Sequence, residues 1–238
     1  MDFIEFLRII EKGLIVSCQA LKEEPLYGSE IMAAMALAAE QGGAVAIRAN
    51  SASDICAIRK KVKLPIIGLH KVNYPGFDVY ITPTIKEALD ISNAGADMIA
   101  VDATDRPHPD GLCLEERINQ IKLKTSKLVL ADISNYQEAV LAEHAGADMI
   151  STTMSGYTDE SPNLVGPDFE LLQKIASTLK TPVICEGRIW NPDQAKYALE
   201  LGAHAVVVGS VITRPQLITR YFVDKLDEAF KTHIVTTG

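Results

Sequence analysis

The stretch Ala94-Gly95-Ala96-Asp97-Met98-Ile99 recurs letter for letter as Ala145-Gly146-Ala147-Asp148-Met149-Ile150. Looser copies around Gly43 and Gly202 extend the pattern, so related glycines follow one another at nearly regular intervals. A glycine can adopt the left-handed conformation that ends a helix, and an apolar, β-rich run begins within a few residues of each one. Each interval has room for two strand–helix units, and the repeat therefore predicts a chain built from such units throughout.

Eight short apolar runs fit this spacing. Most are nearly continuous in their hydrophobicity, which is typical of parallel strands covered on both faces. The stretches between them, such as 83–93 and 192–201, have helix-forming compositions. The predicted strands are Leu14–Ser17, Val45–Arg48, Pro65–Leu69, Met98–Asp102, Leu128–Asp132, Met149–Thr152, Val183–Glu186 and Ala205–Gly209.

These units predict an α/β fold, a single (β/α)8 TIM barrel that occupies residues 1–238 as one domain. The chain has 238 residues, close to the roughly 250 that such barrels need. Phe3, Leu7 and Ile10 recur at helical spacing, and we expect this N-terminal helix to close the barrel floor. A doubly wound open sheet is the alternative, but no G-x-G-x-x-G follows the first strand and no break marks a topological switch.

Composition limits the classes of partner. The formal net charge is −8, which disfavours nucleic acid and anionic membrane surfaces but permits a small anion held by a few focused cations. The start of the chain is acidic, and no apolar run reaches the roughly 18 residues of a membrane span. The four cysteines lack CxxC spacing, so we expect free thiols and a cytoplasmic protein. Apolar positions in the stretch 217–230 could cover this barrel or a partner's, which leaves a homodimer open.

Polar residues close each predicted strand, at the end where barrel enzymes carry their chemistry. Lys71 and His70 are adjacent on an extended strand, so only one can face the barrel mouth. We choose Lys71, because burial near Arg48 would disfavour its charged form and make it a base near neutral pH. His70 would then pack between strand and helix.

Glu186 ends a fully apolar strand, and a buried acid must be paired or functional. Its structural alternative is an ion pair with Arg188 or Arg48. The glycines Gly187 and Gly209, with Ser210, lie after the last two strands, where barrels commonly bind phosphate, and Arg214 lies just beyond. Two tight turns are the plainer explanation of these glycines.

We expect no metal. The second strand ends in Arg48, a cation where a metal site would need a ligand, and the five histidines show no paired ligand spacing.

Several motifs together resemble the bacterial N-acetylmannosamine-6-phosphate 2-epimerase family, over nearly the whole chain from about Gly13 to Thr219. The most specific are Thr152-Thr153-Met154-Ser155-Gly156-Tyr157-Thr158 and Glu186-Gly187-Arg188. Two loop positions, Asn73 and His108, differ from the family pattern. The resemblance implies cofactor-free interconversion of N-acetylmannosamine 6-phosphate and N-acetylglucosamine 6-phosphate, a step in sialic-acid breakdown. It also implies that Lys71 and Glu186 are catalytic, that Gln19, Arg48 and Asp132 contact the sugar, and that Gly187, Gly209, Ser210 and Arg214 surround the phosphate.

Two other functions fit the same residues. A lysine at the barrel mouth could instead form a Schiff base in a lyase or aldolase, which borohydride would trap in the presence of substrate. A non-catalytic sugar-phosphate binding barrel would keep the phosphate loop but would need neither Lys71 nor Glu186.

Overall fold

The repeat glycines each follow the last turn of a helix in the computed structural model. Gly95 and Gly146 have positive φ angles of 108° and 82°, and Gly43 and Gly202 have φ angles of 92° and 101°. The residue after the glycine donates its N–H to the carbonyl five positions earlier, as from Ala96 to Ile91 at 3.2 Å. This is the Schellman ending of a helix, so the predicted role of the glycines is confirmed.

The repeated aspartates join neighbouring strands at their amino ends. Asp97 accepts a hydrogen bond from the N–H of Ile66 at 2.9 Å, and Asp148 accepts one from Val129 at 2.7 Å. Each carboxylate also pairs with a cation from a preceding helix. The identical repeat therefore performs the same two tasks twice: it ends a helix and ties the next strand to the one before it.

All eight strands are parallel and form a closed barrel, in which each strand pairs with the next along the chain and the last pairs with the first. The predicted barrel is confirmed, and the open-sheet alternative is wrong. The strand bounds are β1 Leu14–Cys18, β2 Ala46–Asn50, β3 Ile66–Leu69, β4 Met98–Asp102, β5 Leu128–Asp132, β6 Met149–Ser151, β7 Val183–Glu186 and β8 Ala205–Val208.

The structure describes residues 1–235, and side chains as far as Glu228; the last residues of the predicted 1–238 domain and of the 217–230 stretch lie outside these limits. The helix predicted over 83–93 begins at Ile85, because Thr84 and Glu87 form a capping box there. The helices are α1 Phe3–Ile10, α2 Ser29–Gln41, α3 Ala52–Arg59, α4 Ile85–Asn93, α5 Leu114–Thr125, α6 Tyr136–His144, α7 Phe169–Thr178, α8 Pro192–Glu200, α9 Ser210–Thr213 and α10 Pro215–Val235, with a 3₁₀ turn at Thr152–Met154.

Two buried layers hold the barrel together. The larger lies between the strands and the surrounding helices, and the smaller fills the barrel interior. Phe6 and Ile10 of α1 are fully buried in the interior layer, and Phe3 and Leu7 pack against it. The N-terminal helix thus covers the amino end of the barrel as predicted, which leaves the carboxyl end as the open mouth.

Four cysteines, Cys18, Cys56, Cys113 and Cys185, are free thiols. Within the described residues, no helix has the length and apolar character required to cross a bilayer.

Candidate active site

A cavity of about 250 Å³ opens at the carboxyl ends of the barrel strands. Residues that follow β1, β3, β7 and β8 meet there with the buried end of β2. The structure brings together all but one of the residues predicted for the site: Lys71, Glu186, Gln19, Arg48, Gly187, Gly209, Ser210 and Arg214 line the cavity wall.

Asp132 is the exception. It is fully buried at the end of β5 and does not line the cavity. Arg48 reaches it from β2 with both terminal nitrogens, and the bond from its NH1 to Oδ1 is 3.1 Å long. The structure therefore places Asp132 against Arg48, where it orients that guanidinium group, and its predicted contact with the sugar stays a prediction.

Arg48 is a buried cation held between two carboxylates. Only 1% of its side chain is exposed, and its NH1 also lies 3.0 Å from Oε2 of Glu186. Burial disfavours the charged guanidinium group, but the charges of Asp132 and Glu186 outweigh that penalty and raise the pKa of Arg48. The cavity therefore contains a permanent positive charge with fixed orientation, suited to stabilising a developing oxyanion.

Lys71 lies just after β3 and faces the cavity, whereas His70 does not line it. The backbone N–H of Lys71 donates to Oδ1 of Asn50 at 2.8 Å, and a bridge to Ile81 fixes the segment against the chain that returns toward β4. Burial, then the nearby charges of Arg48 and Arg214, lower the pKa of Lys71 to about 8. Near physiological pH this amine is therefore neutral far more often than an ordinary lysine and can act as a base.

Glu186 is the last residue of β7, and the hydroxyl group of Thr152 fixes its backbone. Thr152 Oγ1 accepts from the N–H of Glu186 at 3.0 Å and donates to its carbonyl oxygen at 2.9 Å. The side chain is 13% exposed, and burial raises the pKa of its carboxyl group although Arg48 opposes this shift. Glu186 is therefore a carboxyl group that can hold a proton at the cavity surface.

The residues that follow β7 and β8 offer backbone N–H groups to the cavity. Gly187 has a φ of 112°, which favours glycine. A Cβ atom at Gly209 would lie 3.2 Å from Cβ of Ser17, a tight contact that β1 would have to relieve by a small shift. Gly209 precedes α9, whose first residue is Ser210. Unpaired N–H groups at the start of a helical turn suit an anion.

Arg214 reaches the same side, but it is already paired. Its Nε lies 2.9 Å from Oε1 of Glu24, and its NH2 lies 3.0 Å from Oε2. Glu24 belongs to the segment after β1, which sequence analysis did not single out. The guanidinium group therefore meets an incoming anion with part of its charge already balanced.

Arg188 does not pair with Glu186, so that structural alternative is wrong for this arginine. Its Nε donates to the carbonyl oxygen of Gly166 at 2.8 Å, its NH1 donates to the carbonyl oxygen of Ser155, and the guanidinium group lies 5.5 Å from the ring centroid of Tyr157. Arg188 thus holds the β6–α7 connection against the cavity rim.

Aromatic residues complete the wall. Tyr80, Tyr157 and Trp190 line the cavity, and the Trp190 ring stacks on Tyr221 of α10, with centroids 6.0 Å apart and an interplanar angle of 29°. None of them was among the predicted site residues. Tyr157 belongs to the family motif at 152–158, which could have identified it, whereas Tyr80 and Trp190 lie in connections whose sequences show no periodic pattern.

No group of three or more histidine, cysteine, aspartate or glutamate side chains suited to a metal occurs among the residues that the structure describes. The expectation that the reaction needs no metal or cofactor stays a prediction.

Fold and site together define a (β/α)8-barrel enzyme equipped for acid–base chemistry on a small anionic compound. The chain belongs to the family described as "Putative N-acetylmannosamine-6-phosphate epimerase", which matches residues 32–228.

Relatives with that name match almost the full chain. A "Putative N-acetylmannosamine-6-phosphate 2-epimerase" from Caldanaerobacter subterraneus subsp. tengcongensis is 56% identical over 96% of this chain and 95% of its own length. One from Clostridioides difficile is 51% identical over 92% of this chain and 97% of its own. The solved structure of the N-acetylmannosamine-6-phosphate 2-epimerase from Clostridium perfringens superposes with a TM-score of 0.89, at 49% identity, and covers 92% of this chain and 95% of that one.

A more distant structure shows the fold alone. The thiamine phosphate pyrophosphorylase from Pyrococcus furiosus superposes with a TM-score of 0.55 at 20% identity, and covers 84% of this chain and 86% of that one.

Proposed function

We propose that this protein interconverts N-acetylmannosamine 6-phosphate and N-acetylglucosamine 6-phosphate by inverting C2. The observation that carries the proposal is the cavity that Lys71, Arg48 and Glu186 share with Gly187, Gly209 and Ser210, in a chain 56% identical to a relative that bears this enzyme's name. Base, buried cation and proton-holding acid are the three groups that inversion next to a carbonyl requires.

The chemistry begins with ring opening, because the C2 proton becomes acidic only when C1 is an aldehyde. Glu186 moves the protons on the sugar oxygens in this step. Lys71, as a neutral amine, then takes the C2 proton, and Arg48 stabilises the negative charge that develops on the C1 oxygen. Rotation within the open chain presents the other face of C2, and the ammonium group of Lys71 returns a proton to it.

The phosphate group serves as a remote handle. We propose that Gly187, Gly209, Ser210 and Arg214 hold it, while Gln19 contacts the sugar. Gln19 fits this role because its Oε1 is buried without a hydrogen-bond partner within the described residues, although its Nε2 donates to Ser17 Oγ at 2.9 Å. A substrate N–H or hydroxyl group would satisfy that oxygen.

Proton NMR tests the activity directly. N-acetylmannosamine 6-phosphate incubated with the pure protein should acquire the signals of N-acetylglucosamine 6-phosphate until a constant ratio is reached. An unchanged spectrum would contradict the proposal. Borohydride inactivation in the presence of substrate would favour the Schiff-base alternative instead.

We further propose that the whole chain works as one barrel domain, in the cytoplasm, on a small anion and not on nucleic acid. The four free thiols support a reducing compartment. The net charge of −8 supports a small anionic ligand over a polyanion.

A homodimer through α10 is a separate proposal. Tyr221, Phe222 and Leu226 of this helix are 53%, 65% and 63% exposed, an apolar set that a second copy of the chain would cover. Light scattering should report a dimer for the wild type and a monomer for Phe222→Glu. A wild-type monomer at all concentrations would contradict this.

A further inference from the structure

The hydroxyl group of Thr153 lies among three oxygen atoms from the ends of three adjacent strands. Its Oγ1 is 2.8 Å from Oδ1 of Asp132 at the end of β5 and 3.0 Å from Oε2 of Glu186 at the end of β7. It is also 2.8 Å from Oγ of Ser151, the last residue of β6. All three distances are those of O–H···O hydrogen bonds.

The number of hydrogens restricts how these bonds can form. A hydroxyl group has one hydrogen and two lone pairs, so three partners mean that Thr153 donates once and accepts twice. Ser151 can be one of the two donors. The second donor has to be Asp132 or Glu186, and a carboxyl group donates only when it carries a proton. The geometry therefore calls for one proton on this pair of acids.

The surrounding charge agrees with that count. Arg48 contacts both carboxyl groups, through bonds of 3.1 Å to Asp132 and 3.0 Å to Glu186. With one proton on the pair and Lys71 as the neutral amine, the guanidinium charge of Arg48 balances the single remaining carboxylate. Two buried carboxylates against one cation would leave an unbalanced charge in a region shielded from water, which is costly.

The two acids differ in their access to the cavity. Glu186 and Thr153 line it, whereas Asp132 is fully buried and does not. A proton on Asp132 is therefore protected from solvent, and a proton on Glu186 can reach a bound sugar. Thr153 is the hydroxyl group that contacts both.

We propose that Asp132 and Glu186 share one proton through Thr153, which makes Asp132 a proton store for Glu186. In one arrangement protonated Glu186 donates to Thr153, which donates to the Asp132 carboxylate. In the other, Asp132 carries the proton and Thr153 donates to Glu186. Two hydrogens shift between these arrangements while no heavy atom has to move.

The role of this store in ring opening rests on the proposed function. Glu186 takes the proton of the C1 hydroxyl group as the C1 carbonyl forms. One proton passes from the pair of acids to the ring oxygen as the bond between that oxygen and C1 breaks. The pair ends with the one proton it began with. Because Thr153 can move that proton to or from Asp132, Glu186 is available both as base and as acid without exchange with solvent.

Burial raises the pKa of both Asp132 and Glu186, which supports retention of the proton near neutral pH. The charged or titratable groups that face the pair are Arg48, Lys71, Tyr80, Asp102 and Cys185.

Infrared spectroscopy of the resting protein tests the shared proton without relying on activity. In heavy water at neutral pH, the wild type should show the C=O band of a protonated carboxyl group, and Glu186→Gln should lack it. The glutamine amide can donate to Thr153 in place of the acid, so Asp132 becomes an ordinary carboxylate. Asp132→Asn should also remove the band. If Asp132→Asn does not fold, the spectrum of Glu186→Gln is the test of the shared proton. A wild-type spectrum without such a band, or a band that Glu186→Gln leaves in place, overturns the proposal.

Kinetics test the relay with a matched pair of variants. Thr153→Val keeps the side-chain shape but has no hydroxyl group, and Thr153→Ser keeps the hydroxyl group. Thr153→Val should lower kcat at least about tenfold with little change in KM, and should move the alkaline decline of the kcat profile to lower pH. Thr153→Ser should retain the wild-type profile. A wild-type kcat and profile in Thr153→Val, or equal losses in both variants, overturns the relay. Absence of epimerisation by the wild type would instead contradict the proposed function. The infrared result would still show whether Asp132 and Glu186 share a proton.

Discussion

Glu24 holds the guanidinium group of Arg214 with both carboxylate oxygens, at 2.9 Å from Nε and 3.0 Å from NH2. The same carboxylate accepts hydrogen bonds from the N–H of Leu21 at 2.7 Å and from Nε2 of Gln216 at 3.1 Å. All of these bonds orient Arg214 toward the cavity. They also give the phosphate side of the site less positive charge than its arginine alone would supply.

Glu24→Gln should therefore strengthen anion binding. The pair is partly exposed, with 24% and 19% of the two side chains accessible, so a gain of about two- to fivefold is expected at low salt. The measurement is the inhibition constant of inorganic phosphate, together with KM for the sugar phosphate, at two ionic strengths. Weaker binding, as in an Arg214 variant, would mean that Glu24 acts mainly by orienting the arginine.

Arg214→Ala should raise KM more than it lowers kcat. A phosphate handle interacts about equally with the ground state and the transition state, so its loss weakens binding without slowing the chemical step to the same extent. Initial rates over a range of substrate concentrations separate the two effects. A decrease in kcat at constant KM would place Arg214 near the reacting carbon.

Lys71→Met should abolish epimerisation and exchange of the C2 proton, because methionine retains much of the side-chain length but has no base. In heavy water the wild type should place deuterium at C2 of the product, since the substrate's proton mixes with two solvent-derived hydrogens on the ammonium group. Mass spectrometry and NMR measure both. Binding of the sugar phosphate to the variant serves as the control for folding, and full activity of the variant would exclude Lys71 as the base.

The pH dependence of the rate should follow Lys71. Its pKa is lowered to about 8, and the neutral amine is the active form, so kcat/KM should rise with pH through that value until the acid pair of Asp132 and Glu186 loses its proton. Below it, the rate should fall about tenfold per pH unit. Arg214→Ala provides the matched test, because removing one of the cations that lower the pKa should shift this rise to higher pH. A profile that falls across the same range would contradict a neutral lysine.

Chelation should leave activity unchanged. The strand predicted to end at Arg48 continues to Asn50, but Arg48 still presents a cation to the cavity where a metal site would need a ligand, and it is held by Asp132 and Glu186. Activity assayed after exhaustive treatment with a chelator checks this. Loss of activity that a divalent metal restores would contradict it.

The barrel could be predicted from sequence because the signals that specify its helices and strands lie within short stretches of the chain. The helix-ending glycines and the apolar runs each act within a few residues, and the strand bounds agree with prediction within two residues. The repeat also supplied a count of strand–helix units, which an individual strand cannot give.

The site could be predicted only in part. Polar residues at the ends of barrel strands face the mouth, and this rule identified Lys71, Arg48 and Glu186. The rule does not predict how deeply a side chain is buried. Asp132 obeys the rule by position and is nevertheless fully buried, with its carboxylate bonded to Arg48 and Thr153. Glu24 and Arg214 are separated by 190 positions, and no periodic pattern connects residues so far apart.

Trp190 is the only tryptophan in the chain, and it is in contact with both the cavity and Tyr221 of α10. The protein therefore carries a built-in optical probe. Excitation of this one indole reports on occupancy of the site and on the environment of α10 at the same time. Titration with a non-reacting sugar phosphate and dilution across the proposed dimer's dissociation range would each change the emission, and the Phe222→Glu monomer would separate the two signals without any external label.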